Sequence, residues 1–145
     1  MHTRMFSGSF AILLLLSACT RPVPGVLTLA PAGMRTTGTC TPHPDGTLTM
    51  SAGAAVESVA YVDAGAVTIT VTAQSSSSES AASMELWFDG ASVGTVRVQS
   101  TEATPFPFHV QARAGGPTAV RVVFADPSGS ISTTLRLQKV VITEP

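Results

Sequence analysis

Residues 83–100 constrain the fold more than any other part of this sequence. Apolar side chains recur there at every second position, which is the period of a β-strand with one buried face. Asp89 and Gly90 interrupt the pattern with a turn signal, because glycine adopts positive φ angles without steric cost. A β-bulge at Gly94 lets Val93 share the inward face of the valines that follow. The segment therefore predicts a β-hairpin, which needs further strands to cover its apolar face.

The same period recurs along the rest of the chain, with turn signals between the segments. The other expected strands are residues 26–30, 37–41, 47–50, 55–62, 67–72, 106–112, 119–124 and 135–142. The last of them breaks the period between Leu137 and Val140, which indicates a second bulge. Pro107 has no N–H to donate, so we expect its strand to lie at the edge of a sheet or to be unpaired at its start. About seven to nine short strands predict an all-β fold, an antiparallel jelly-roll-like β-sandwich.

The N-terminal segment has the character of a targeting sequence and is left out of the fold prediction. Arg4 provides a positive charge, and the apolar run at residues 10–16 is shorter than the roughly 20 residues that span a bilayer. The end of this run, Leu16-Ser17-Ala18-Cys19, resembles the lipobox of bacterial lipoproteins. An ordinary secretory signal that happens to contain a cysteine is the alternative reading.

The lipobox resemblance implies three parts of the chain: a lipoprotein signal peptide at residues 1–18, a tether at 19–25 and a β-sandwich domain at 26–145. It also implies that Cys19 carries thioether-linked lipid and palmitate, so that the lipid bilayer is a partner of the protein. Thr20, rather than aspartate, follows the cysteine. By resemblance to the usual sorting pattern, this implies a lipid-anchored protein of the bacterial cell envelope, at the outer membrane. Several acyl chains together anchor a protein stably.

Charge and motif content exclude several classes of function. The formal net charge is -1 and there is no basic stripe, so we expect no nucleic-acid partner. The acidic residues are scattered singly and no nucleophile or phosphate-binding motif occurs, so we expect no enzyme and no catalytic residue. If Cys19 carries lipid, Cys40 has no partner for a disulfide within the chain. A packed thiol, a Cys40/His43 metal pair and a catalytic thiol are then the readings of Cys40.

Four segments together resemble the calcium-dependent xylan-binding type of carbohydrate-binding module: residues 62–71, 86–95, 120–126 and 135–142. The likeness covers roughly residues 55–142 and extends more weakly back to residue 26. It implies a jelly roll that binds a polysaccharide without catalysis, where calcium and sugar meet in loops before and within the last strand.

The same resemblance assigns one candidate to both calcium and carbohydrate. Asp126 falls at an acidic position of the family, whereas Thr133, Thr134 and Gln138 stand where a further acidic residue is expected. Calcium usually takes several carboxylates among six to eight oxygen ligands, so one carboxylate makes a poor site. The alternative for Asp126 is a plain turn in which its side chain accepts local backbone hydrogen bonds. We expect no other cofactor.

Trp87 is the second candidate for carbohydrate binding. It alternates with inward-facing neighbours, so its ring is expected outside the core, where aromatic faces stack on the C–H bonds of sugars. The alternatives are that a serine-rich loop at residues 74–80 covers the ring or that the outer face is itself packed. Two hypotheses for function remain. One is an envelope lipoprotein that binds a glycan. The other is a structural or protein-interaction lipoprotein whose sandwich has lost glycan and calcium binding, with an envelope protein as its partner in the second case.

Overall fold

The computed structural model describes residues 25–125 and 132–145. These ranges contain eleven β-strands and one turn of 3-10 helix, Pro31–Gly33. The strands are β1 (Val26–Leu29), β2 (Arg35–Thr37), β3 (Cys40–Pro42), β4 (Leu48–Met50), β5 (Ala55–Val62), β6 (Gly65–Ser75), β7 (Ala82–Phe88), β8 (Ala91–Val98), β9 (Thr104–Ala112), β10 (Gly116–Ala125) and β11 (Leu135–Thr143).

The strands form two antiparallel sheets, which pack face to face as a sandwich. The larger sheet has six strands in the order β3-β4-β11-β6-β9, with β1 paired to the other end of β11. The smaller sheet has five strands in the order β2-β5-β10-β7-β8. The all-β antiparallel sandwich predicted from the sequence is therefore confirmed.

The strand count exceeds the expected seven to nine, and the chain between residues 35 and 50 forms three short strands, of which β2 and β3 lie at sheet edges. The single strand predicted at 37–41 is wrong. The chain leaves the smaller sheet after Thr37, turns at Gly38 with φ 84°, and enters the larger sheet at Cys40. No apolar alternation marks this change of sheet, because these edge residues are mostly exposed.

Both predicted bulges and the predicted turn are present. Asp89 and Gly90 have φ angles of 54° and 82°, as a two-residue type I′ hairpin turn requires. The pairing of β7 with β8 shifts register opposite Val93, next to Gly94, and the pairing of β11 with β6 shifts between Leu137 and Lys139. β9, which contains Pro107, lies at the edge of the larger sheet as expected.

The inward faces of both sheets close into one core. In β6 the buried positions alternate with half-buried threonines, which is the predicted pattern. Burial of one such aliphatic or aromatic side chain stabilises a fold by about 1.5–3 kcal/mol. The largest fully buried side chains include Leu48, Met50, Ile69, Met84, Leu86, Phe124, Leu135 and Leu137.

The sandwich has two ends of different character. The serine pole carries residues 76–81, 99–103 and 132–134, where β6 ends and β11 begins. The termini pole carries Gly25 and Glu144, joined by a backbone hydrogen bond of 2.9 Å. β11 has nine residues and runs from one pole to the other, so the poles lie about 27 Å apart.

Candidate functional site

Residues 76–81 at the serine pole are fastened to the start of β11. The Ser76 N–H donates to the Thr134 carbonyl at 3.0 Å, and the Thr134 N–H donates to Ser76 Oγ at 2.8 Å. Within the segment, Ser75 Oγ donates to the Ser77 carbonyl and Ser77 Oγ accepts from the Glu79 N–H. The serine-rich sequence is therefore shaped by its own hydroxyl groups, which bond to nearby backbone as serines in turns do.

A polar groove of about 220 Å³ opens beside this segment, on the outer face of the larger sheet. Every residue that lines it has a polar side chain: Thr49, Gln74, Ser75, Ser76, Thr134 and Arg136. Hydroxyl and amide groups both donate to and accept from sugar hydroxyls, and a guanidinium donates to them. The groove can therefore bind a polar, hydroxyl-rich ligand by hydrogen bonds.

The guanidinium of Arg136 is held in place by the loop before β4. Its Nε and a terminal nitrogen donate to Thr47 Oγ1 at 3.1 and 2.9 Å, and the same terminal nitrogen lies 3.3 Å from Asp45. Hydrogen bonds from the Thr47 side chain and then its backbone N–H lower the pKa of the Asp45 carboxyl, with a smaller contribution from Arg136. The ion pair contributes little to stability because both side chains are well exposed. Its effect is to orient the guanidinium, which keeps further N–H groups available to a ligand.

The amide and imidazole groups near the groove are also oriented. Gln138 donates from Nε2 to Gln74 Oε1 at 2.7 Å, and Gln74 donates from Nε2 to the Thr101 carbonyl at 2.9 Å. His43 Nε2 and Thr49 Oγ1 are 2.8 Å apart. These contacts fix the rotamers of the polar side chains before a ligand arrives, which lowers the entropy cost of binding.

The described residues at the serine pole do not fit a calcium ion. No group of three or more His, Cys, Asp or Glu side chains that could hold a metal occurs in residues 25–125 and 132–145. The groove contains the fixed positive charge of Arg136 and no carboxylate, whereas calcium requires several anionic oxygens. Thr133 is buried at 3% exposure. Asp126, the predicted ligand, lies outside the described residues.

Trp87 lies on the outer face of the smaller sheet, between buried Leu86 and Phe88, as the alternation predicted. It is half-buried and stands opposite Arg121 of β10. Ala125, the residue before Asp126, pairs with Ser83 instead. Trp87 is thus separated from Ala125 by about four residues along the strands, or roughly 13 Å. The structure does not bring the tryptophan to the serine pole.

Cys40 is a free, partly buried thiol. Its Sγ lies 3.9 Å from the Thr37 carbonyl, and burial raises the pKa of the thiol, which keeps it protonated near neutral pH. His43 Nε2 is engaged by Thr49 Oγ1 at 2.8 Å, and Cys40 and His43 belong to no group of three or more potential metal ligands among the described residues. Cys19, the predicted lipid attachment residue, lies outside the described residues, which contain no helix long and apolar enough to cross a membrane.

Sequence reasoning missed two features. The Asp45–Thr47–Arg136 network joins residues about ninety positions apart, so no local motif announces it. Val59 and Tyr61, which are 64% and 74% exposed on the outer face of the smaller sheet, could have been found by extending the alternation of β5 outward. The buried positions of that strand already indicated which face its other residues occupy.

Comparison with models of protein families assigns the chain to a family. A family described as "Ca-dependent carbohydrate-binding module xylan-binding", CBM60, matches residues 68–145, which is more than half of the chain. The chain belongs to this family. The matched region of this CBM60 protein begins in β6 and includes every later strand, together with Gln74, Ser76, Thr134 and Arg136 of the groove. None of the curated proteins matches the chain.

Solved structures show the same fold at low sequence identity. A CBM36-1 domain of a multidomain xylanase from the hindgut metagenome of Trinervitermes trinervoides superposes with a TM-score of 0.73 at 13% identity, covering 83% of this chain and 98% of that one. A CBM36 module in complex with calcium and xylotriose superposes with a TM-score of 0.63 at 19% identity, covering 81% of this chain and 99% of that one. A family 35 carbohydrate-binding module from Clostridium thermocellum superposes with a TM-score of 0.67 at 9% identity, covering 83% of this chain and 99% of that one.

Proposed function

We propose that this protein is a non-catalytic envelope lipoprotein that binds a xylan-type polysaccharide at its serine pole. The observation that carries the proposal is the polar groove, whose amide and guanidinium groups are oriented by hydrogen bonds within the protein. Membership of a xylan-binding module family supports the same class of ligand. Polysaccharide chains expose rows of hydroxyl groups, which can bond to the donors and acceptors that line such a groove.

The chemistry of the groove supports binding without catalysis. Glycoside hydrolysis uses two carboxyl groups about 5–9.5 Å apart on either side of the scissile bond. The groove residues supply an arginine, an amide and hydroxyl groups, and its neighbouring carboxylate, Asp45, is engaged by Thr47 and Arg136. These groups hold a sugar in place but supply no acid–base pair.

Arg136 also leads us to propose that the groove binds its glycan without calcium. In a calcium-dependent module the cation provides the positive charge that attracts sugar oxygens. Here a guanidinium occupies the groove, and it would repel a divalent cation placed beside it. Trp87 stays a predicted stacking platform on another face, and Asp126 stays a predicted ligand.

The proposed lipid anchor is consistent with the position of the first described residue. Gly25 lies at the termini pole, and residues 19–25 would connect it to acylated Cys19 in the membrane. The serine pole is then the end of the domain that points away from the bilayer, about 27 Å further out. A groove at that pole can reach a polysaccharide in the space beyond the membrane.

Glycan binding is tested with the full chain purified in zwitterionic detergent, because sugar-based detergents would compete. Affinity gels and calorimetry with xylan, cellulose and peptidoglycan should show binding to xylan that persists in excess EDTA. Arg136→Met should weaken it about tenfold or more, since a hydrogen bond to a charged group is lost. Arg35→Met, on an exposed edge strand of the other sheet, is the matched control. Absence of binding to all three glycans would refute the proposal.

The anchor is tested separately in cells. Labelled palmitate should enter the wild-type protein and not the Cys19→Ser variant. Incorporation into the variant, or none into the wild type, would refute lipidation at this residue. Fractionation of the envelope of the producing cell then tests the proposed outer-membrane location.

The second candidate function is a structural lipoprotein that binds an envelope protein. The exposed Val59 and Tyr61, adjacent on one sheet face, favour it, because exposed apolar and aromatic side chains are common at protein interfaces. A photoreactive group at position 61 should then trap one envelope protein in cells. Tyr61→Asp should abolish that cross-link while leaving binding to xylan unchanged.

A further inference from the structure

A second cleft, of about 300 Å³, lies at the termini pole. It opens between β8 and β9, the edge strands of the two sheets, beside the tip of the β7–β8 hairpin. The polar groove described above lies at the other pole, so the two cavities share no lining residue.

The floor of the cleft is apolar. Phe88 is 6% exposed and belongs to the core, and Val93 and Val110 pack against that core from β8 and β9. The bulge at Val93 and Gly94 turns the valine inward at this point. An apolar floor of this kind contacts the C–H face of a sugar ring.

The rim carries polar side chains that the protein leaves unused. Asp89, Gln111 and Arg113 are exposed, and their side chains form no hydrogen bond or ion pair within the described parts of the chain. Ser92 donates its hydroxyl proton to Glu85 at 2.6 Å, which leaves its oxygen free to accept.

The backbone that carries the rim is fixed although the side chains are free. Asp89 sits in the two-residue turn with φ 54°, and its N–H donates to the Ala119 carbonyl at 2.9 Å. Gln111 lies in β9, paired with Ala66 of β6. A ligand therefore meets groups on a strand, in a tight turn and, for Arg113, directly after the last residue of β9.

The rim has one carboxylate and one guanidinium, so its formal charge is balanced. Phosphate would be repelled by Asp89, and a metal ion would find a single carboxylate beside Arg113. A carboxylate accepts from two adjacent hydroxyls, and a guanidinium or amide donates to them. The volume is at the lower end of small-molecule sites, which suits about one or two sugar units.

We infer that this cleft is a second binding site, specific for a short neutral saccharide with adjacent hydroxyl groups. The hydroxyls bond to Asp89, Gln111 and Arg113, and the ring lies against the half-buried side chains of Val93 and Val110. The domain then has a saccharide site at each pole, one for a chain and one for a chain end or short branch.

The test is an NMR titration of the full, isotope-labelled chain in zwitterionic micelles with xylobiose, cellobiose and maltose. At least one disaccharide should shift the amide resonances of residues 88–93 and 110–113 as a separate set from those at the serine pole. Arg113→Met, which keeps the aliphatic stem, should lower the affinity measured from these resonances about tenfold. Asp89→Asn should lower the affinity several-fold, because the hydroxyls lose a charged acceptor. Asparagine tolerates the same turn geometry, so the backbone of the hairpin should be unchanged.

Two controls separate this inference from the proposed groove. Arg97→Met, at the far end of β8, should leave the cleft titration unchanged. Arg136→Met should affect only the shifts at the serine pole. Glycan binding at the groove can therefore be refuted while saccharide binding at the cleft is supported, and the opposite result is equally distinguishable. The inference is overturned if none of the disaccharides at tens of millimolar shifts residues 88–93 and 110–113, or if Arg113→Met and Arg97→Met bind equally.

Discussion

Replacement of Gly38 by alanine should show what fixes the crossing from the smaller to the larger sheet. Gly38 has φ 84° and packs against the start of β5. A Cβ atom there would lie 3.0 Å from the Cα and 3.2 Å from the Cβ of Ala54. Gly90, at φ 82° in the hairpin turn, has no atom within 4 Å of the corresponding position. Gly90→Ala is therefore a matched control with the same backbone conformation and no contact.

The two variants differ by the cost of that contact. The left-handed conformation costs an alanine about 1–2 kcal/mol at either position. Overpacking adds about 1–3 kcal/mol at Gly38, because Ala54 is held there. The Ala54 carbonyl accepts from the Phe124 N–H at 2.9 Å, and the Ala54 N–H donates to the Ser51 carbonyl at 3.0 Å. Alanine also reduces the conformational entropy of the unfolded chain, which favours the folded state by about 0.4–1 kcal/mol, and this gain is common to both variants and cancels.

Urea unfolding followed by the fluorescence of Trp87, the single tryptophan, measures the difference directly. Gly38→Ala should reduce the free energy of unfolding by about 1–3 kcal/mol more than Gly90→Ala does. Equal losses within about 0.5 kcal/mol would show that Ala54 moves aside without cost and would refute the reasoning. The slopes of the two transitions should match that of the wild type, since neither change alters the surface exposed on unfolding.

Three further results are expected. Leu86→Ala should lower the free energy of unfolding by about 2–5 kcal/mol, because Leu86 is fully buried, and a loss under about 1 kcal/mol in urea titration would contradict the packing. Asp45→Asn should flatten the acid side of the stability profile measured by urea unfolding. Hydrogen bonds from Thr47 lower the pKa of this carboxyl, so its stabilising contribution is present above the ordinary value of 3.8 and is lost as the pH falls through the lower folded value. Identical profiles for variant and wild type would oppose this account. The Cys40 thiol, whose pKa is raised by burial, should react with a disulfide reagent at neutral pH more slowly than free cysteine does, and equal rates would indicate an open thiol.

The features that could be predicted from the sequence are those that local chemistry decides. Alternation of apolar residues marked the long strands, because each of them buries one face in the core. The Asp89–Gly90 turn and both bulges were also predictable, since positive φ angles and a break in period are visible within a few residues. β2, β3 and β4 have only three residues each, and β2 and β3 are edge strands, so their position depends on pairing with other strands rather than on their own pattern.

The candidate sites follow the opposite rule, because each of them is assembled from distant parts of the chain. Arg136 reaches Asp45 and Thr47 only because β11 pairs with β4, and the register of that pairing is a property of the whole larger sheet. The cleft at the termini pole likewise requires the edges of both sheets to meet, which brings Arg113 to the hairpin that contains Asp89. A single residue such as Trp87 can be placed outside the core from its neighbours alone. Which other residues share its surface depends on strand order, and strand order leaves no mark on a short stretch of sequence.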